Sequence, residues 1–349
     1  MSEFYQIGTP RPVRDIPAPR IDDESQLVDS FGRRLTYLRV SITDRCNLRC
    51  LYCLPEDAEF PFGDRDFLEP TEIETLVGAL VDLGIRRVRL TGGEPLVRSD
   101  ILDIVRRIRA LPGLDELALS TNGTELPRLA APLRDAGIDR VNVSIDTLDG
   151  KRFHQLTRTG DLERVWQGVE AALEAGLDPV KLNSVLMKDH EEQDLDRLVD
   201  LTLERPLAVR FIEMMPTATN AHLQPGKFRS CDWLRERIER RHGPLESADP
   251  EVRTGPAQSF RIPGATGTVG FITPLSHTFC HDCNRLRVTA RGELRLCLFG
   301  EKVYPLRHLL EDRQALETEI FRVLEDKPAE HMLTQGNYGN LASFMEIGG

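Results

Sequence analysis

At 349 residues, 40% of them hydrophobic and 29% charged, the chain is long enough for one large or two medium domains around a sizeable core. A net charge of −11 and a pI near 5.4 argue against a non-specific nucleic-acid binder, so any anionic ligand must meet a local basic cluster. No apolar run reaches the length of a membrane span, and Met1–Arg20 lacks the apolar stretch of a signal peptide. The seven cysteines then point to a cytoplasmic protein whose thiols serve metals or catalysis.

Residues 1–33, with four prolines and little apolar periodicity, read as a flexible N-terminal arm. From Arg34 the pattern becomes strand, loop, helix. The predicted strands are Thr36–Thr43, Arg87–Thr91, Leu117–Thr121, Arg140–Ile145, Val180–Met187 and Leu207–Glu213. Thr71 to Glu74 reads as a capping box opening a helix that stops at Gly84. A second helix starts at Ser99, and a third carries Leu162, Val165, Trp166, Val169 and Leu173 and ends at Gly176.

Such alternation predicts an α/β fold with a parallel sheet, barrel-like or doubly wound. The strands themselves favour the barrel. Leu38, Val40 and Ile42 oppose Arg39, Ser41 and Thr43; Val88 and Leu90 oppose Arg89 and Thr91; Val180 and Leu182 oppose Lys181 and Asn183. A parallel strand covered on both sides is apolar throughout, so a repeated polar face suggests a lumen that holds a charged ligand. The alternative is a sheet with one wet face.

After Glu213 the pattern breaks at Met214, Met215 and Pro216. Asp232–Arg241 reads as a basic surface helix, followed by short strands and a helix around Leu306–Leu324. The expected division is a barrel over residues 34–229 and a smaller C-terminal domain over 230–349, ending in Gly348 and Gly349.

Two cysteine groups carry chemistry. Cys46, Cys50 and Cys53 follow the first strand with spacing C-x3-C-x2-C. Three thiolates on one loop suit a metal or an iron–sulfur cluster, and a [4Fe–4S] cubane with three cysteines keeps one iron open. Cys280, Cys283 and Cys297 repeat the arrangement, although zinc with His277 or His281 as fourth ligand is an alternative there. Thr91-Gly92-Gly93-Glu94-Pro95 follows the second strand; its glycines would let a ligand approach, and Glu94 could accept from an ammonium. Arg285 and Arg287 share one strand face beside Cys283, where guanidinium groups suit phosphate oxygens.

The first cysteine group together with the Gly-Gly-Glu-Pro turn resembles the radical S-adenosylmethionine (SAM) superfamily. The second group, Arg285-Leu286-Arg287 and the terminal Gly348-Gly349 resemble, within it, the GTP 3′,8-cyclase family of molybdenum cofactor biosynthesis. The resemblance covers residues 34–349. It implies an incomplete (β/α)6 TIM-like barrel whose open side the C-terminal domain closes. It implies two [4Fe–4S] clusters, one on Cys46, Cys50 and Cys53, the other on Cys280, Cys283 and Cys297. Tyr52 (through its backbone), Gly93, Glu94, Ser144 and Met215 would contact SAM, and Arg39, Arg89, Ser120, Lys181, Arg285, Leu286 and Arg287 would contact GTP.

The implied reaction is lyase chemistry. A 5′-deoxyadenosyl radical takes the ribose C3′ hydrogen of GTP and the carbon radical closes onto C8, giving (8S)-3′,8-cyclo-7,8-dihydroguanosine 5′-triphosphate. Arg285, Arg287, Gly348 and Gly349 would act in catalysis. Implied partners are an electron donor and, downstream, cyclic pyranopterin monophosphate synthase; a homodimer is left open, and neither nucleic acid nor membrane is expected. The competing expectations are a peptide-modifying radical SAM enzyme, which generally has more C-terminal cysteines, and a zinc-stabilised nucleic-acid binder, which the acidic pI disfavours.

Overall fold

The computed structural model describes residues 26–54, 66–217, 220–221, 224–248, 255–333, 336–337, 339 and 344–347. The first part runs β1 (Tyr37–Ser41), α1 (Pro70–Asp82), β2 (Arg87–Thr91), α2 (Ile101–Arg109), β3 (Glu116–Thr121), α3 (Leu126–Ala136), β4 (Arg140–Ser144), α4 (Gly150–Thr157), α5 (Leu162–Glu174), β5 (Val180–Leu186), α6 (Glu192–Glu204) and β6 (Leu207–Glu213). There follow α7 (Gln224–Lys227), α8 (Cys231–His242), β7 (Glu246–Ser247), β8 (Gln258–Arg261), β9 (Thr268–Ile272), β10 (Arg285–Val288), β11 (Glu293–Arg295), β12 (Tyr304–Pro305) and α9 (Arg313–Leu324). The six strands expected of the barrel are β1 to β6.

One sheet contains all the strands, in the order β12-β11-β10-β1-β2-β3-β4-β5-β6-β9-β8-β7. β1 to β6 pair in parallel and in sequence, as right-handed βαβ units do. The C-terminal part then covers both edges: β10 pairs parallel with β1, and β9 pairs parallel with β6. No pairing joins β12 to β7 among the described residues, and the six-stranded unit is an open barrel flanked on each side by C-terminal strands.

The alternation sorts the strand residues as its period of two requires. Leu38, Val40, Val88, Leu90, Val141, Val143, Leu182 and Val209 are fully buried in one core with the helices. Their neighbours Arg39, Arg89, Asn142, Lys181 and Arg210 face an internal cavity. The polar face is thus a lumen.

Several local expectations shift. The helix α1 begins at Pro70 after the N-cap Glu69, whose amide donates to Glu72 Oε2 at 2.8 Å, two residues ahead of the expected box. Pro70 decides this, because its missing N–H is free at the first helical position. Residues 26–33 belong to the fold rather than to a mobile arm. Leu27 is fully buried in the main core, and the Leu35 amide donates to its carbonyl at 2.8 Å. The remaining arm residues, 1–25, lie outside the described residues. No helix among the described residues is long and apolar enough to cross a membrane.

Candidate active site

The first cysteine loop leaves the C-terminal end of β1, where open α/β folds place their chemistry. It is held from three sides. The Arg49 and Leu51 amides donate to the Thr157 and Leu156 carbonyls at 3.0 and 2.9 Å, fixing the loop on the end of α4. Arg158 Nη1 donates to the Arg49 and Leu54 carbonyls. Asn122, after β3, donates to Asn47 Oδ1 at 2.7 Å and points the same amide at Cys46 Sγ, 3.9 Å away.

The third side is the Gly-Gly-Glu-Pro turn, and here the close approach is made by the chain itself. The Gly93 amide donates to the Thr43 carbonyl at 2.9 Å and the Glu94 amide to the Arg45 carbonyl at 2.7 Å. A Cβ on Gly93 would stand 2.3 Å from the Arg45 carbonyl oxygen, and one on Gly92 2.3 Å from that of Thr43. The glycines let this turn lie against the backbone leading into Cys46.

Glu94 caps the short helical turn that follows the glycines. Its carboxylate is fully buried and accepts from Thr121 Oγ1 at 2.7 Å, the Asn122 amide at 2.5 Å and the Leu96 amide at 3.0 Å. Burial pushes its pKa up to about 7 despite these donors. Turned inward, Glu94 locks β3 to the turn, with two donors on Oε1 and one, the Asn122 amide, on Oε2.

Tyr52, Ser144 and Met215 gather at the same end of the barrel. Ser144 closes β4 and is exposed. The buried Asn220 donates Nδ2 to both the Tyr52 carbonyl, at 2.7 Å, and the Met215 carbonyl, at 3.2 Å. The Tyr52 hydroxyl donates to Asp146 Oδ2 at 2.8 Å. Burial pushes Asp146 up to about 6, against the Val185 amide and the Tyr52 hydroxyl that it accepts from.

Burial also pushes Cys46 up to about 12, with Glu94 and Cys53 adding to the shift, and Cys50 well above the usual thiol range, with Cys53, Asp146 and Cys46 adding. Buried thiols set this close need a cationic centre to hold them as thiolates together, and an iron cluster is such a centre.

The lumen behind this loop is a cavity of about 380 Å3. Arg39, Arg89, Arg140, Lys181, Arg210, Arg285 and Arg287 line it, and no carboxylate does among the described residues. Register explains the crowding: Arg287, Arg39 and Arg89 stand side by side across β10, β1 and β2. Burial lowers the pKa of Arg39 well below normal, and Arg287 and Arg89 lower it further. Burial, Arg140 and Arg210 do the same to Lys181; burial, Arg140 and Arg89 bring Arg210 down to about 9.

Glu116, at the start of β3, offsets part of this charge. It grips Arg140 at 2.5 and 2.9 Å. Burial would raise its carboxyl, but Arg140, Arg89 and Arg87 outweigh that and hold it at about 2. Ser120 also lines the cavity. Leu286 does not: its side chain is fully buried in the apolar core on the opposite face of β10, so only its backbone is available to a ligand.

Cys280, Cys283 and Cys297 line the same cavity. Cys283 precedes β10, whose Arg285 pairs with Tyr37 at the start of β1, whereas Cys46 follows the end of β1. The two groups therefore lie beyond opposite ends of that strand, which spans roughly 13 Å. Burial raises Cys283, but Arg285 and Lys327 outweigh it and bring the thiol down to about 7.

His277 and His281 turn to Asp232 and Asp282, each at 2.9 Å, and neither lines the cavity. Among the described residues no three His, Cys, Asp or Glu side chains converge on a single-ion site. A cubane seats its cysteines on separate irons, so it does not need that convergence. Cys231 opens α8 and is buried, its thiol donating to the Phe211 and Ile272 carbonyls, and it does not line the cavity.

The C-terminal tail reaches this end. Ile347 is fully buried against Phe299 and Leu333, with Met215, Cys297 and Phe344 packed around them. Gly348 and Gly349 lie outside the described residues. Tyr37, Arg140, Arg210, Asn220 and Lys327 were not singled out from the sequence as site residues. Arg210 has the alternation signal, and so do Tyr37 and Arg140, two residues before Arg39 and Asn142; Asn220 and Lys327 have none.

Residues 40–202 match the radical SAM superfamily, and residues 207–333 match the Molybdenum Cofactor Synthesis C family. A GTP 3′,8-cyclase of Pelotomaculum thermopropionicum is 42% identical over 324 residues, covering 92% of this chain and 99% of that one. One from Moorella thermoacetica is 44% identical over 325 residues, covering 92% and 99%. The chain belongs to the GTP 3′,8-cyclase family. Members of this family are radical SAM enzymes of molybdenum cofactor biosynthesis, and the chain uses a [4Fe–4S] cluster and SAM accordingly. The crystal structure of Streptococcus suis SuiB bound to S-adenosylmethionine has a TM-score of 0.54 at 16% identity, covering 87% of this chain and 67% of that one. That likeness shows the fold alone, and the cyclase relatives do not favour the peptide-modifying alternative.

Proposed function

We propose that the chain converts GTP to (8S)-3′,8-cyclo-7,8-dihydroguanosine 5′-triphosphate in one chamber between two [4Fe–4S] clusters. Cys46, Cys50 and Cys53 would hold the first cluster, with Gly93, Ser144, Met215 and the Tyr52 backbone around SAM. Cys280, Cys283 and Cys297 would hold the second, toward the guanine. When bound, the first cluster and SAM supply the 5′-deoxyadenosyl radical that takes hydrogen from ribose C3′.

The observation that carries this reading is the cavity whose seven named cations meet no lining carboxylate, inside a chain of net charge −11. Buried cations that lower one another's pKa are stabilised together by a polyanion, and a triphosphate is one. Arg39, Arg89, Lys181, Arg285 and Arg287 would neutralise and orient it, joined by Arg140 and Arg210, while Ser120 offers a hydroxyl. The walls exclude water from the reacting ribose. Arg287 and the docked tail would bring Gly348 and Gly349 to the substrate. The enzyme would be cytoplasmic, would draw on an electron donor and hand its product to cyclic pyranopterin monophosphate synthase; a homodimer is compatible. The barrel through residue 229 would carry the first cluster, and the segment from 230 the second.

The test is anaerobic purification, iron and sulfide analysis, and assay of SAM cleavage with GTP. About eight irons per chain and GTP-dependent 5′-deoxyadenosine are expected for two four-iron clusters. Zinc without sulfide would refute the reading.

A further inference from the structure

Lys327 lies just past the end of α9, is 3% exposed, and does not line the cavity. Its ammonium donates to the Arg285 carbonyl at 3.1 Å, to the Leu296 carbonyl, and toward Cys283 Sγ at 4.0 Å. An ammonium has three N–H donors and no acceptor, and here each donor has a partner. Two of those partners are the backbone beside Cys283 and Cys297, the third is the sulfur itself. The lysine is thus fixed behind the second cysteine group, on the side away from the lumen cations.

The chain around Lys327 is held on both flanks. Asp326 is fixed by Lys302 Nζ and the Tyr304 hydroxyl, each at 2.6 Å. On the other side Arg33 donates to the Pro328 carbonyl at 2.7 Å and to the Ala329 and Cys280 carbonyls, each at 2.8 Å, while Asp29 holds its Nε at 2.6 Å. Arg33 therefore ties the segment after Lys327 to the loop that carries Cys280. So much structure around one ammonium sets its position relative to the thiols.

We propose that Lys327 is the fixed positive charge that sets the reduction potential of the cluster on Cys280, Cys283 and Cys297. A cluster ligated by thiolates is anionic and gains negative charge on reduction, so a buried cation beside a ligand sulfur favours the reduced form. Lys327 is a positioning and charge-setting residue rather than a catalytic one. The assignment rests on the two-cluster reading above.

The test is an EPR-monitored redox titration of the anaerobic holoenzyme, comparing wild type with Lys327→Met and Lys327→Arg. SAM marks the signal of the first cluster and GTP that of the second. In Lys327→Met the GTP-sensitive signal is expected to move to more negative potential, with the SAM-sensitive signal unmoved; Lys327→Arg is expected to stay near wild type. Loss of the second cluster from Lys327→Met alone, with retention in Lys327→Arg, also supports the charge. An unmoved potential in an iron-replete Lys327→Met protein overturns the assignment, as does loss of the second cluster from both variants, which would make the residue a packing element. A wild-type protein with no GTP-sensitive cluster signal would instead overturn the two-cluster reading, and the role of Lys327 with it.

Discussion

Arg287 Nη1 donates to the Ile347 carbonyl across 3.4 Å, so a lumen arginine holds the residue immediately before the terminal Gly348-Gly349 pair. Deleting that pair leaves the contact and the buried Ile347 side chain in place. The truncated enzyme is expected to keep its iron and lose cyclisation, read as product formed per SAM cleaved. Full product yield would remove the tail from the mechanism. Ile347→Asp is expected to give the same loss by undocking the tail, since a buried carboxylate without a partner is strongly disfavoured.

Gly93→Ala tests the seam between the Gly-Gly-Glu-Pro turn and the first cysteine loop. A Cβ 2.3 Å from the Arg45 carbonyl oxygen forces that backbone to move. Iron is expected to fall from about eight toward about four per chain, with the second cluster retained. Undiminished iron together with normal SAM binding would show that the loop tolerates the displacement.

Lys181→Ala and Arg210→Ala each remove one lumen cation. Hydrogen bonds to charged groups contribute about 1.5–3 kcal/mol, so the KM for GTP is expected to rise about 10- to 100-fold with SAM binding unchanged. In the wild type, GTP is expected to raise Tm by relieving the repulsion among the buried cations. Equal kinetics in wild type and both variants would place the triphosphate elsewhere.

Leu27→Ala separates a packed segment from a mobile arm. Because Leu27 is fully buried in the main core, the substitution is expected to cost about 2–5 kcal/mol in denaturant unfolding. A change below about 0.5 kcal/mol would fit a surface residue instead.

His190 gives the fold an acid sensitivity. It is 4% exposed, and neither ring nitrogen has a hydrogen-bond partner among the described residues. Burial lowers its pKa to about 4, with Asp189 and Asp194 opposing and Arg152 and Arg229 assisting. The fold favours the neutral ring, so this stabilisation is complete above the unfolded value near 6.5 and is lost as pH falls toward 4. About 1.4 kcal/mol should be gone by pH 5.5, and His190→Phe should abolish that part of the slope in unfolding measurements. An identical slope in the variant would assign the acid sensitivity to other groups.

The barrel and its lumen were legible because a period of two is a local signal: Leu38 and Arg39 declare opposite faces with no knowledge of the partner strand. Tyr37 and Arg140 carry the same signal, two residues before Arg39 and Asn142, but each opens its strand, where only one neighbour repeats it. The hold of Glu94 on Thr121 and Asn122 was not legible, because they belong to another strand end and pairing between loops leaves no periodic trace. Lys327 and Arg33 bind backbone carbonyls, which every residue carries, so sequence offers nothing to match them to. The resemblance implies a substrate contact at Leu286, and the alternation that turns Arg285 and Arg287 inward turns its side chain out, so that contact would fall to its backbone.

The strand order carries a consequence for how the protein is made. The matched family segments meet between residues 202 and 207, which assigns β6 to the second segment although it pairs with β5. β1 emerges from the ribosome early, but β10, which covers its edge, is synthesised near the end. Until then an N-terminal fragment carries unpaired parallel strands at both margins, the configuration most prone to edge-to-edge aggregation. The enzyme is therefore not two exchangeable modules: splitting or swapping it at the family boundary would bare both margins at once. Neither segment has a complete sheet to fold on until the other is present.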